Sequence, residues 1–155
     1  MKAVLRMIKK FSAVCLIILS FLIVLSGCDF FTSYFELDGI SDSMHEAVAE
    51  HYGLTIPDTA AFVRGHIDKG FRDPCIIIIF RVPQNDLPPA MDGEWNADEY
   101  MSTTIDGVES EQAYFRAGKQ DKYQRHAQLF VTSSDENGNV LVMLDGANPG
   151  TNWID

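Results

Sequence analysis

Cys75, His66 and Asp68 are the one set of side chains in this sequence that offers a nucleophile, a base and an orienting carboxylate. Turn residues (Lys69-Gly70, Asp73-Pro74) separate two β-rich runs, so a hairpin can place His66 opposite Cys75 or Ile76. The surroundings argue for a different use. Cys75 opens the run Cys-Ile-Ile-Ile-Ile-Phe-Arg-Val, where a free cysteine behaves as a small hydrophobe. No helix N-terminus stands near it to favour the thiolate, which is the reactive form. The sequence therefore assigns no catalytic residue, and a small hydrolase built on Cys75, His66 and Asp68 is carried only as the alternative.

Metal chemistry fares no better. His45-Glu46-Ala47-Val48-Ala49-Glu50-His51 invites comparison with the H-E-x-x-H zinc pattern, but its fifth position is Ala49. His51 is six residues from His45, about 120° around a helix, so the two imidazoles cannot share one ion in that manner. Asp135-Glu136-Asn137-Gly138-Asn139 has the composition of a calcium loop, yet its glycine is fourth rather than sixth and strands flank it. A hairpin turn accounts for the same residues, as turns do for Asp92-Gly93-Glu94 and Asp106-Gly107. No metal ligand and no cofactor is assigned. Ion or small-ligand binding through the acidic loops is a further alternative. Patterns for acyl hydrolase, NTPase or dinucleotide chemistry are absent from the sequence.

The elements that must position these residues are a helix, two hairpins and the segment between them. Ser43 with Glu46 forms a capping box, and Met44, Ala47, Val48, His51 and Tyr52 recur at helical spacing up to Gly53. The spacing predicts a helix from about Met44 to Tyr52. Ala60 to Asp68 and Cys75 to Val82 read as one hairpin, with the continuously apolar second strand central in its sheet. Tyr123 to Thr132 and Val140 to Leu144 read as another, joined around Asn137-Gly138. Between them, Asn96 with Glu99 reads as the cap of a short helix, and Ser102 to Asp121 as a polar loop with a faint helical pattern over Glu109 to Phe115. The fold expected is α+β: a small single domain, its antiparallel sheet made of two hairpins covered by one or two helices. Trp95, Tyr100, Tyr114 and Phe115 bracket the polar insertion Asp92 to Tyr123 and are the expected partner-binding residues, as loops on a rigid scaffold tend to carry function.

Upstream, Lys2, Arg6, Lys9 and Lys10 precede an apolar run from Phe11 to Leu25 that only Ser12 and Ser20 interrupt. A basic head and a run shorter than the roughly 20 residues of a membrane-spanning helix mark a secretory signal. Leu25-Ser26-Gly27-Cys28, placed directly after that run, resembles the lipobox of bacterial lipoproteins. The resemblance covers the first 28 residues alone. It implies cleavage between Gly27 and Cys28, attachment of diacylglycerol to the Cys28 thiol and, often, acylation (as palmitate) of the new amino terminus. Several acyl chains hold a protein stably where one does not, at about 0.8 kcal/mol per buried methylene. Asp29 after the cysteine resembles the inner-membrane retention signal of Gram-negative lipoproteins.

The organisation expected is a signal peptide over 1–27, a lipidated, membrane-proximal segment over 28–39 and one α+β domain over 40–155. No polar tether follows Cys28, and Phe30, Phe31, Tyr34 and Phe35 either sit at the lipid interface or begin the fold. Removing the signal takes away four basic residues and no acidic one, which leaves 8 Lys+Arg against 22 Asp+Glu and a net charge of −14. Such a balance repels nucleic acid and anionic lipid headgroups and accommodates cationic partners or divalent ions more easily, although an acidic, soluble surface without any specific ligand accounts for it first. Cys28 and Cys75 are the cysteines that remain, and with Cys28 acylated no internal disulfide forms. The function expected is that of a membrane-anchored lipoprotein, facing outside the cytoplasm, whose domain is a non-catalytic binding module for another envelope protein.

Overall fold

Strand β3 (Cys75–Pro83) shows why this chain becomes a sheet: alternate residues Ile76, Ile78, Phe80 and Val82 are buried on one face, and four consecutive isoleucines leave apolar side chains on the other as well. β-branched side chains stiff at χ1 fit a pleated strand, and each one fully buried contributes about 1.5–3 kcal/mol. The computed structural model describes residues 34–69, 74–91, 94–117 and 126–147. The signal sequence, the lipobox with Gly27 and Cys28, and Asp29 lie outside the described residues. The described residues, from Tyr34 to Ala147, form one compact unit.

Eight strands form an antiparallel sheet: β1 (Tyr34–Glu36), β2 (Ala61–Asp68), β3, β4 (Asn96–Ala97), β5 (Thr104–Ile105), β6 (Val108–Ala117), β7 (His126–Thr132) and β8 (Asn139–Ala147). Their spatial order is β1-β2-β3-β8-β7-β6-β4, with β5 paired to β6. β3 is central, as its apolar run predicts, and pairs with β8 from Cys75↔Ala147 to Pro83↔Asn139 without interruption. Helix α1 (Asp42–Tyr52) covers one face through Met44, Val48 and Tyr52. A single-turn helix, α2 (Leu87–Ala90), follows β3.

The expected α+β domain of two hairpins covered by helices is therefore corrected. The protein is mostly one antiparallel sheet of eight strands, and among the described residues α1 is the one helix longer than a turn. Both predicted hairpins exist, but the polar segment between them supplies strands rather than a helix and a loop. The reason lies at Glu111. A bulge between Ser110 and Gln112 puts Ser110 and Ala113 on the buried side, three residues apart, so an interrupted strand carries the spacing of a weak helix. Asn96 does not cap a helix. It begins β4 opposite Phe115, while Asp98 accepts the Tyr100 N–H at 2.9 Å in a local turn.

α1 begins two residues earlier than the capping box predicts. Ser41 is its cap, accepting the Met44 N–H at 3.3 Å, and Ser43 lies inside the first turn. At the other end Gly53 adopts φ +60, and its carbonyl accepts from Arg116 Nη1 at 3.3 Å and from Trp95 Nε1 at 3.5 Å. A cation on the negative end of the helix, with the left-handed residue that ends it, fixes α1 against β6. A Cβ on Gly53 would overlap the Arg116 guanidinium. Gly53→Ala is thus expected to cost about 1–2 kcal/mol in urea unfolding, from left-handed strain and a displaced Arg116.

Candidate functional site

The two faces of the sheet are unequally covered. Beneath α1, Tyr52, Leu54, Ile76, Ile78, Phe80 and Leu144 belong to the main core. On the opposite face a smaller cluster, Ile79, Ile105, Ala113 and Phe130, is roofed by the β5–β6 hairpin. That hairpin turns on Asp106 and Gly107, whose φ values of 50 and 84 match the tight turn that suits strand twist. Asp106 Oδ1 reaches Arg64 Nη2 on β2 at 2.8 Å, so the hairpin tip is clasped to the far side of the sheet. Arg64 is well exposed, and Arg64→Ala is expected to lower stability by less than about 1 kcal/mol.

Beside this roof the second face is only partly covered by the described residues. Tyr34 and Glu36 from β1, Arg64 and His66 from β2, Ile77 and Ile79 from β3 and Met143 from β8 line a cleft of about 410 Å³. That size lies within the range of ordinary ligand sites. His66 stacks on Tyr34 with ring centroids 4.8 Å apart and an interplanar angle of 27°. The register continues the row: Glu36 opposes His66, His66 opposes Ile77, Ile77 opposes Asp145 and Asp145 opposes Gln128. One row further along, Asp68 opposes Cys75, and Cys75 and His126 both oppose Ala147.

Cys75, His66 and Asp68 therefore share one face of the sheet, with Asp68 directly opposite the thiol and His66 diagonal to it. His66 faces Ile77 rather than Cys75 or Ile76. Burial pushes the Cys75 thiol above its ordinary pKa, and the Asp145 and Asp68 carboxylates push it further than a hydrogen bond at the Asp68 backbone draws it back. Cys75 is held as the thiol, the unreactive form. Alkylation of Cys75 by iodoacetamide at pH 8, followed on its peptide by mass spectrometry, is expected to run several-fold slower in the folded protein than in urea. Equal rates would contradict this electrostatic account.

Asp145 was not singled out by sequence reasoning, although an acidic residue inside the apolar run Val140 to Leu144 and its continuation was a visible signal. Desolvation raises its carboxyl above the usual range, partly countered by His126 and His66. The folded state therefore holds this proton to higher pH than the unfolded chain does. Its stabilising contribution is present below the ordinary Asp pKa and is lost as pH rises through the raised value. Asp145→Asn is expected to be more stable than the parent at pH 7, with the advantage vanishing toward pH 3, in urea titrations at the two pH values.

The four aromatic residues expected to bind a partner are not brought together. Trp95 and Tyr114 pack against the main core, and the Tyr114 hydroxyl lies 2.9 Å from Gln112 Oε1. Phe115 is on the opposite face, 6.3 Å from the His126 ring. Tyr100 stands alone at 97% exposure. Tyr34 and Phe35 begin the fold as β1, with Lys69 Nζ 5.2 Å above the Phe35 ring. Asp135 spends its carboxylate on its own turn, accepting the backbone N–H groups of Asn137 and Asn139 at 2.9 and 3.0 Å. Those bonds, both to Oδ1, hold its pKa low. His45 and His51 join no cluster with metal-ligating geometry among the described residues.

This architecture, an antiparallel sheet with one face sealed by a helix and the other half-roofed by a hairpin, defines a small β-sheet domain with an open cleft. The chain matches no family of known sequences, no curated protein and no solved structure.

Proposed function

We propose that this chain is an envelope lipoprotein, anchored through Cys28 and facing outside the cytoplasm, whose domain binds another envelope protein without catalysing a reaction. One observation carries the binding reading. Among the described residues, Ile77 and Met143 are only half-buried at the edge of the smaller cluster and line a cleft with polar neighbours, although the same chain builds a hairpin that roofs the adjoining residues. Apolar surface left accessible beside polar groups is the pattern of a recognition surface. Burial and the neighbouring carboxylates, which hold Cys75 in its thiol form, argue against the hydrolase alternative. The recognition surface assigned here is the cleft rather than the insertion Asp92 to Tyr123. The anchor itself rests on the signal sequence and the lipobox.

A photo-crosslinking amino acid placed at Met143 in intact cells tests this reading. A discrete adduct with an envelope protein is expected there, absent when the probe is moved to Glu50 on the exposed side of α1. Ile77→Glu in the cleft should remove the adduct while circular dichroism stays unchanged. No adduct at Met143, or the same adduct from both positions, would overturn the reading. An adduct with a small molecule in its place would favour a carrier of small ligands.

A further inference from the structure

We infer that the cleft receives an extended segment of a partner protein in which lysine or arginine alternates with apolar residues. The inference rests on the protein-binding reading above and names the chemistry of what binds. Three features of the cleft carry it: its direction, its floor and its unbalanced charge.

The lining residues come from β1, β2, β3 and β8, which are consecutive neighbours in the sheet. The cleft thus runs across the strands for three interstrand spacings, about 14 Å, the length of roughly four extended residues. Its floor is Ile77, Ile79 and Met143, apolar and without hydrogen-bonding side chains. Methionine adapts to differently shaped apolar partners, which suits alternate side chains of a strand laid over it.

The rim decides the sign of the charge. Arg64 is the one lysine or arginine lining the cleft, and Asp106 already neutralises it at 2.8 Å. Glu36 forms no ion pair among the described residues, and Asp145 stands on the same row, with His66 and Ile77 between the two carboxylates. The Tyr34 ring, 57% exposed, adds a π face beside Glu36. An anionic segment would meet Glu36 at the rim, where the Arg64 charge is already countered by Asp106. A cationic segment finds the Glu36 carboxylate there, with Asp145 half-buried outside the cleft beyond Ile77 on the same row, and the acidic excess of the chain, −10 over all residues, steers it inward.

The test uses the full chain in nonionic detergent and fluorescein-labelled peptides followed by anisotropy. The peptide Val-Lys-Leu-Lys-Val-Ser is expected to bind, and its counterpart with glutamate for both lysines to bind at least about tenfold more weakly. Glu36→Gln should weaken the lysine peptide about threefold or more and leave the glutamate peptide no weaker. A combined Glu46→Gln, Glu50→Gln variant on the exposed side of α1 should leave both unchanged. Equal affinity of the two peptides, no binding by either, or equal weakening by the α1 variant would overturn the inference. Where the inference fails and the Met143 adduct persists, the protein-binding reading stands with a different partner chemistry. Where both fail, that reading falls too.

Discussion

Cys28→Ala is expected to abolish incorporation of labelled palmitate completely and to leave the uncut precursor as the accumulating species. The thiol is the atom that receives diacylglycerol in the lipoprotein resemblance, and alanine offers nothing to acylate. If cleavage before residue 28 follows lipidation, as the lipoprotein resemblance implies, the mass of the product should retain residues 1–27. A parallel replacement of Cys75 by serine should change neither label nor cleavage, because Cys75 lies in the sheet at the start of β3. Palmitate carried by Cys28→Ala, or a cut precursor without it, would remove the basis for the anchor. The effect is all-or-none because both acylations that the resemblance implies are made on residue 28, at its thiol and at the amino terminus that cleavage exposes, and each lost acyl chain forfeits about 0.8 kcal/mol per methylene.

Tyr52→Ala is expected to be the most destabilising single change in the described domain, by about 3–5 kcal/mol in urea unfolding at pH 7. Tyr52 is 2% exposed at the last turn of α1, and its hydroxyl donates to the Ala147 carbonyl at 3.1 Å. The ring lies over Gly146 of β8, where an added Cβ would come within 2.5 Å of Tyr52 Cζ. One side chain thus joins helix and sheet by packing and by a hydrogen bond. Domains of this size are stable by about 5–15 kcal/mol, so the loss is a large share of the whole. Tyr52→Phe should cost only about 1 kcal/mol, the net worth of one hydrogen bond. Gly146→Val should approach the alanine variant, since the ring would have to leave its place. A loss below about 1 kcal/mol for Tyr52→Ala would show that α1 is held by something else.

The Asp145 and Cys75 predictions are linked, because each group is raised by burial on the same face of the sheet. Asp145→Asn removes one of the carboxylates that disfavour the Cys75 thiolate, so alkylation of Cys75 in that variant should be faster than in the parent. The coupling gives a direct chemical readout of the row that the strand register sets.

Local and short-range features were legible in the sequence. Helical spacing from Met44 to Tyr52 and the left-handed Gly53 specify α1, because capping and amphipathic periodicity act over a few residues. The isoleucine run specifies a central strand, although the expected cover on both faces is incomplete: Ile76, Ile78 and Ile79 are buried, while Ile77 is half-buried in the cleft. Asn137-Gly138 with Asp135 specifies the turn before β8. The tertiary structure alone decided the rest. β6 was hidden because its bulge replaces the two-residue period with a three-residue one, and only pairing with β7 shows that the residue at Glu111 is extra. The cleft was hidden for a related reason. Tyr34, Glu36, His66, Ile77 and Met143 are spread over more than a hundred positions and meet only through the register of β1, β2, β3 and β8. Register is set by the sum of many side-chain contacts across strands, a quantity that no short stretch of sequence contains.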